Sequence, residues 1–182
     1  ANTTKEELSE MMVGRSVKFA VDKTEAKPAE TVLNVENLCV KSKLHKKDAV
    51  HNVSFSVRAG EIVCIAGIDG NGQTEFVHAL TGLDKTESGR IILNDEDITH
   101  KSIRYRNTHG MSHIPEDRHK HGLVLDYSLE QNMVLQRYYE PEFSKGGFIR
   151  FKAVKDYAEN LIDKFDVRSS SGAKSTARSM SG

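Results

Sequence analysis

The stretch that most constrains this chain runs from Glu61 to Leu83, EIVCIAGIDGNGQTEFVHALTGL. Its first part, Ile62 to Ala66, is a short continuous apolar run and predicts a buried strand. Gly67, Gly70 and Gly72 follow, with Asp69 and Asn71 between them. From Thr74 onward Phe76, Val77, Leu80 and Leu83 fall at helical spacing. The stretch therefore reads as strand, glycine loop, helix.

That order is the context of the phosphate-binding pattern G-x-x-x-x-G-K-[ST]. Gly67, Gly72 and Thr74 occupy the two glycine positions and the hydroxyl position, with Ile68, Asp69, Gly70 and Asn71 between the glycines. Glycines let backbone N–H groups approach phosphate oxygens, and the helix that follows adds the positive end of its dipole. Thr74 stands where a hydroxyl would reach Mg²⁺. The lysine position holds Gln73, which donates an amide hydrogen bond but carries no charge. From the loop alone two readings stay open: a phosphate cradle, or a glycine-rich turn that binds nothing.

At 182 residues the default is one domain with room for a core. Lys+Arg and Asp+Glu both total 26, so the net charge is zero and no basic excess points to nucleic acid or an anionic membrane surface. No apolar run approaches the length of a membrane span, and no signal peptide opens the chain. Cys39 and Cys64 both fall in strand-like segments and read as reduced, buried small residues, which points to the cytosol.

Along the chain, Thr4 and Glu7 fit a capping box before a short helix whose apolar residues are Leu8, Met11 and Met12, ended by Gly14. Val21 to Thr31 reads as a linker. Val32 to Val40 and Asn52 to Val57 predict strands, with the basic run Lys41 to Lys47 as a solvated hairpin loop between them. Ile91 to Leu93 predicts another strand, and Ile103 to Arg106 a short polar helix or loop. Glu116 to Gly122 is dense in charge and reads as an exposed loop; its histidines, with His109 and His113, lack zinc-finger spacing. Ser128 and Gln131 form a second capping box. Val154, Tyr157, Ala158, Leu161, Ile162 and Phe165 make the strongest helical stripe. The order predicts an α/β domain with an antiparallel edge and a helical insertion.

Four stretches, taken together, resemble an ATP-binding-cassette (ABC) ATPase: Gly60 to Gln73; Ser88 to Ile91; Ile114 to Arg118 with Gly122 to Leu125; and Ala177 to Gly182. More narrowly, they are similar to the second cassette of tandem-cassette ATPases that power bacterial sugar and nucleoside importers, and the Gly70 to Gln73 wording of the loop is similar to the nucleoside-type group. The resemblance implies an α/β, P-loop NTPase-like fold: a partial nucleotide-binding domain with a mixed sheet, an antiparallel edge subdomain and a helical subdomain at about 123–182. Residues 1–31 would be the tail of a preceding cassette and a linker, and 32–182 the N-terminal part of the second cassette.

The resemblance also implies roles. Gly67, Asp69, Gly70, Asn71, Gly72, Gln73 and Thr74 would hold the phosphates of ATP. Thr74 would be a magnesium ligand, with Glu116 at the position where most cassettes have a glutamine that touches magnesium. Glu116, Asp117 and Arg118 would form the loop that couples to membrane-spanning permease subunits. Ser179, Met180, Ser181 and Gly182 would begin the signature that caps the opposing cassette's nucleotide. The implied partners are the other cassette, the permease subunits and, indirectly, a substrate-binding protein, at the inner face of the cell membrane. Gln73 departs from the family pattern, and no aromatic residue stands near Ser42 to His45, where cassettes place a ring against adenine. The chain reads as a piece of something longer, so ATP and Mg²⁺ binding is expected to be weak or absent and hydrolysis absent, with no catalytic residue assigned. The alternative expectation is a structural half that pairs with the other cassette and binds no nucleotide.

Overall fold

The computed structural model describes residues 3–16, 23–42 and 47–180, in two units, Ala1–Ser112 and His113–Gly182. Part of the basic run Lys41 to Lys47, including His45, lies outside the described residues, as do Val21, Ser181 and Gly182.

In the first unit, helix α1 (Lys5–Val13) carries the expected capping box, Thr4 with Glu7, and ends on left-handed Gly14. Strand β1 (Thr31–Lys41) pairs antiparallel with β2 (Asp48–Arg58) on one side and with β3 (Ser88–Leu93) on the other. β3 pairs with the short β4 (Glu96–Asp97), giving the order β2-β1-β3-β4. The β3–β4 turn uses Asn94 and Asp95 at positive φ, 48° and 64°, a conformation that short polar side chains tolerate.

Helix α2 (Gln73–Thr81) lies on this sheet. Phe76 and Ala79 of α2 join Val35, Leu38 and Val40 of β1, Val50 of β2, Ile91 of β3, and Ile98 in one core. The rings of Phe55 and Phe76 meet at 5.6 Å. Each such valine, leucine, isoleucine or phenylalanine contributes about 1.5–3 kcal/mol when fully buried. Helix α3 (Ile103–Thr108) adds Arg106, which is 2 % exposed. Its guanidinium donates to the carbonyls of Ala79 (3.2 Å) and Leu80 (2.6 Å) at the end of α2, and to those of Thr99 (2.9 Å) and Lys101 (3.2 Å). Burial pulls its pKa down, yet every carbonyl it meets stabilises the charge.

The apolar run Ile62 to Ala66 departs from expectation. It takes no regular secondary structure, and Ile62, Val63 and Ile65 are exposed. A buried strand requires a neighbour for its N–H and C=O groups, and among the described residues no strand pairs with this one. Cys64, expected to be buried, is therefore exposed; Cys39 is half-buried in β1.

In the second unit, α4 (Leu129–Val134) starts on the expected Ser128–Gln131 capping box. The hairpin β5 (Ser144–Lys145) and β6 (Phe148–Ile149) turns through Gly146 and Gly147, both at positive φ. Helix α5 (Phe151–Lys164) buries Val154 and Ala158, and Val154 packs with Val134 and Phe143. Tyr157, Leu161 and Ile162 are half-buried on the same stripe, while Phe165 caps the helix and is exposed. No helix among the described residues is long and apolar enough to cross a membrane.

Candidate functional site: a glycine loop at the start of a helix

Gly70 (φ 83°) and Gly72 (φ 90°) take left-handed backbone, which reverses the chain directly into α2. The Asn71 N–H closes a turn on the Ile68 carbonyl at 3.3 Å, and the Gly72 carbonyl accepts the first helical bond from Phe76 N–H at 2.9 Å. Gly72 is buried, and a Cβ there would overlap the carbonyl oxygen of Ala49 on β2 and stand 3.0 Å from its carbon. The loop is thus fixed at its rear by sheet backbone and at its far end by Phe76 in the core.

Gln73 lies across the loop. Its amide Nε2 donates to the Ile68 carbonyl at 3.3 Å, and a Cβ on Gly67 would overlap that amide. Gly67 therefore makes room for the side chain that replaces the lysine. Asp69, Gly70 and Asn71 are exposed at the tip, and Thr74 is exposed on the first turn of α2. A cleft of about 630 Å³ opens beside the loop, between Val63 to Gly67, Gln73 and the β2 residues Val50, Val53 and Phe55.

A helix start that follows a glycine loop offers N–H groups to an anion, here without a lysine. The arrangement combines the missing side chains of Gly67 and Gly72 with Thr74, an exposed residue on the first turn of α2. A phosphate chain carried by a divalent cation fits such a donor set, because the cation supplies the charge that Gln73 lacks.

The other sequence-predicted residues lie in the second unit, each in its own setting. Glu116 is exposed. Asp117 caps a π-helical turn, Arg118–Gly122, within the stretch expected as an exposed loop, and its residues are exposed. One carboxylate oxygen of Asp117 accepts from the N–H groups of Lys120 (3.0 Å) and His119 (2.9 Å). Those backbone bonds, the Lys120 bond first, hold its carboxyl below the usual range, with help from the charges of His119 and His121. Sequence periodicity had no means of finding this turn, since five residues are too few to show a period. Thr74 and Glu116 fall in different units and are described separately.

Ser179 ends a short 3₁₀ turn, Ala177–Ser179, and its hydroxyl donates to the Thr176 carbonyl at 2.7 Å. The turn is held by Ala177 N–H on Tyr127 carbonyl, by Arg178 N–H on Leu125 carbonyl, and by the Arg178–Asp126 ion pair at 2.8 Å. Met180 follows, half-buried. The residues that sequence reasoning missed are Ala49 and Arg106. The first acts through its backbone, and the second reads as one more surface cation.

The model of the family "ABC transporter" matches residues 50–182. The nucleoside import ATP-binding protein NupA of Lactococcus lactis is 46 % identical over 98 % of this chain and 35 % of its own length. The guanosine import ATP-binding protein NupO of Bacillus subtilis is 44 % identical over 92 % and 32 %, and the glucose import ATP-binding protein TsgD13 of Haloferax volcanii 35 % over 92 % and 30 %. The chain thus spans about a third of the length of these relatives. Among solved structures, a nucleotide-free ATP-binding cassette from an ABC transporter superposes with TM-score 0.62 at 18 % identity, over 83 % of this chain and 59 % of that one. A dimeric bacterial ABC transporter cassette gives 0.63 at 16 %, over 82 % and 63 %. The fold is that of a P-loop NTPase-like α/β cassette, partly represented, and by the family match over residues 50–182 the chain belongs to the ABC transporter family.

Proposed function

We propose that this chain is part of the ATP-binding subunit of an importer for nucleosides or simple sugars, and that its glycine loop is a degenerate second nucleotide site in a tandem-cassette protein. The observation that carries this reading is the loop Gly67 to Thr74, held against β2 at Gly72 and running into α2. The names of the relatives support the transport assignment, and the two with the highest quoted identities, at 46 % and 44 %, are a nucleoside and a guanosine import protein.

In this reading Gly67 to Gln73 orient the phosphates of ATP through backbone N–H groups, and Thr74 offers its hydroxyl to the accompanying Mg²⁺. The cation supplies charge neutralisation. Glu116 is the second candidate metal contact and, with Asp117 and Arg118, belongs to the surface that meets the membrane-spanning permease subunits. Ser179, Met180, Ser181 and Gly182 begin the segment that faces the nucleotide of the other cassette. A substrate-binding protein is an indirect partner, and the protein works peripherally at the inner face of the cell membrane. The assignment 1–31 for a preceding tail and linker and 32–182 for the second cassette is part of the same proposal. This chain alone is expected to show no ATP hydrolysis above background.

A second reading rests on Gln73. Its amide is engaged by the loop's own Ile68 carbonyl, which suits a structural half that pairs with the other cassette and binds no nucleotide. Calorimetric titration with Mg²⁺–ATP separates the two. Saturable binding that Thr74→Ala weakens supports the first, whereas no binding heat at millimolar nucleotide supports the second. In the tandem protein, titrations with each cassette disabled in turn assign the site.

A further inference from the structure

The β1–β2 hairpin carries ligand atoms that the nucleotide reading leaves unused. Cys39 on β1 and Asp48 and His51 on β2 each offer one donor, and the sulfur, a carboxylate oxygen and a ring nitrogen all lie within 4.8 Å of one another. The sequence separates them by up to twelve positions, so the ladder brings them together. Leu38 and Val40 go into the core, at 0 % and 1 % exposure, and alternation leaves Cys39 on the other face. Val50 is likewise buried and His51 beside it exposed. The register shifts near Leu38, Val40 and Lys41, together with the positive φ of Asn52 (52°), set the spacing across the pair.

The surroundings suit a metal ion. The N–H of Asn52 donates to the Cys39 sulfur at 3.2 Å and so orients this ligand atom. His51 Nδ1 already stands 3.8 Å from a carboxylate oxygen of Asp48. Cys39 and His51 line an open groove of about 510 Å³ on the sheet surface, which gives an ion and a coordinating water a way in. Cys39 is a free thiol. One thiolate and one carboxylate balance a divalent charge, and sulfur with imidazole selects zinc-class ions over magnesium or calcium.

We propose that Cys39, Asp48 and His51 bind a zinc-class divalent cation, with sulfur, oxygen and nitrogen as three protein ligands and water as the fourth. Binding at about 2.0–2.3 Å to each ligand draws the donors closer than they now stand. The His51 side chain, 82 % exposed, has the freedom to swing inward. The ion would clamp the two strands where β1 ends at Lys41 and β2 begins at Asp48, and the proton of the Cys39 thiol would pass to solvent.

The test is a titration of the whole chain with Co²⁺, a visible stand-in for zinc. The site gives a thiolate-to-cobalt charge-transfer band that saturates at one equivalent and is displaced by Zn²⁺. Cys39→Ser removes the band, His51→Ala and Asp48→Asn weaken binding at least tenfold, and Cys64→Ser changes nothing. Because His51 and Asp48 are exposed, their variants keep the fold and test the site even if Cys39→Ser unfolds. In parallel, Zn²⁺ raises the Tm of the native chain more than that of His51→Ala at the same metal concentration. No band, a band that follows Cys64, or unchanged affinity in His51→Ala overturns the proposal.

Discussion

Gly72 abuts the carbonyl of Ala49 with no room for a side chain between them, and this single approach ties the glycine loop to β2. Two glycines of the loop then make unequal demands. Gly72 needs both a positive φ and an absent Cβ, whereas Gly70 needs only the positive φ, since a Cβ there would meet nothing within 4 Å.

Gly70→Ala is therefore expected to cost about 1–2 kcal/mol, the penalty of a left-handed L-residue. Gly72→Ala adds an overlap with sheet backbone and is expected to cost about 3 kcal/mol or more. Urea unfolding of both variants checks the order. Equal costs would mean that Gly72 does not bear on Ala49.

Replacing Gln73 by Lys should tighten Mg²⁺–ATP binding. A hydrogen bond to a charged group is worth about 1.5–3 kcal/mol against roughly 1 for a neutral one, so the gain is about one kcal/mol, several-fold to tenfold in affinity. The substitution also releases the bond to the Ile68 carbonyl. The gain should shrink as salt is added. Calorimetry of both forms at two ionic strengths measures it, and equal affinity would count against a phosphate site.

Arg106 supports the same helix from its other end. Removing its guanidinium strands the carbonyls of Ala79, Leu80, Thr99 and Lys101 at a buried position. Arg106→Leu is expected to destabilise the first unit by about 3 kcal/mol. Arg106→Lys is expected to recover little, because one ammonium does not reproduce the fork. Thermal melts of both variants test this, and near-native stability of the lysine form would refute it.

Asp97 should shape the acid limb of stability. The hydroxyl of Thr99 (2.6 Å) and its N–H (3.0 Å), then Arg90, hold this carboxyl down at about 2. A carboxyl lowered in the folded state contributes fully above its unfolded pKa of 3.8, and the contribution fades as pH falls from about 4 to about 2. With the side chain 45 % exposed, solvent screening reduces the effect to about 1 kcal/mol. Asp97→Asn should lose that much less stability than the native chain between pH 5 and pH 2, as denaturant midpoints at each pH will show. Parallel losses would exclude Asp97 as the source.

What the sequence made legible was local. Both capping boxes are chemistry within four residues, and both form. The stripe from Val154 to Ile162 needed only helical period and one core to face, and Val154 and Ala158 do face it. The loop was legible because its glycines carry meaning by position. Ile62 to Ala66 was misread because a strand is a relation between segments, and an apolar run does not say which neighbour will pair with it. Arg106 was passed over because composition treats a cation as surface, although four carbonyls converge on it. The turn capped by Asp117 hides for a similar reason: the capping partners are backbone groups, which have no letter in the sequence.

The stretch Ile62 to Ala66 also bears on how the chain behaves in company. It is β-branched and apolar, contains no proline, carries no charge, and lies outside every ladder among the described residues. Backbone of that kind is a template for strand pairing between molecules. During synthesis or at high protein concentration, it would be the first place where two copies stick. A single lysine at Ile62, which is 91 % exposed, should keep concentrated samples clear without touching the core that α2 makes with the sheet.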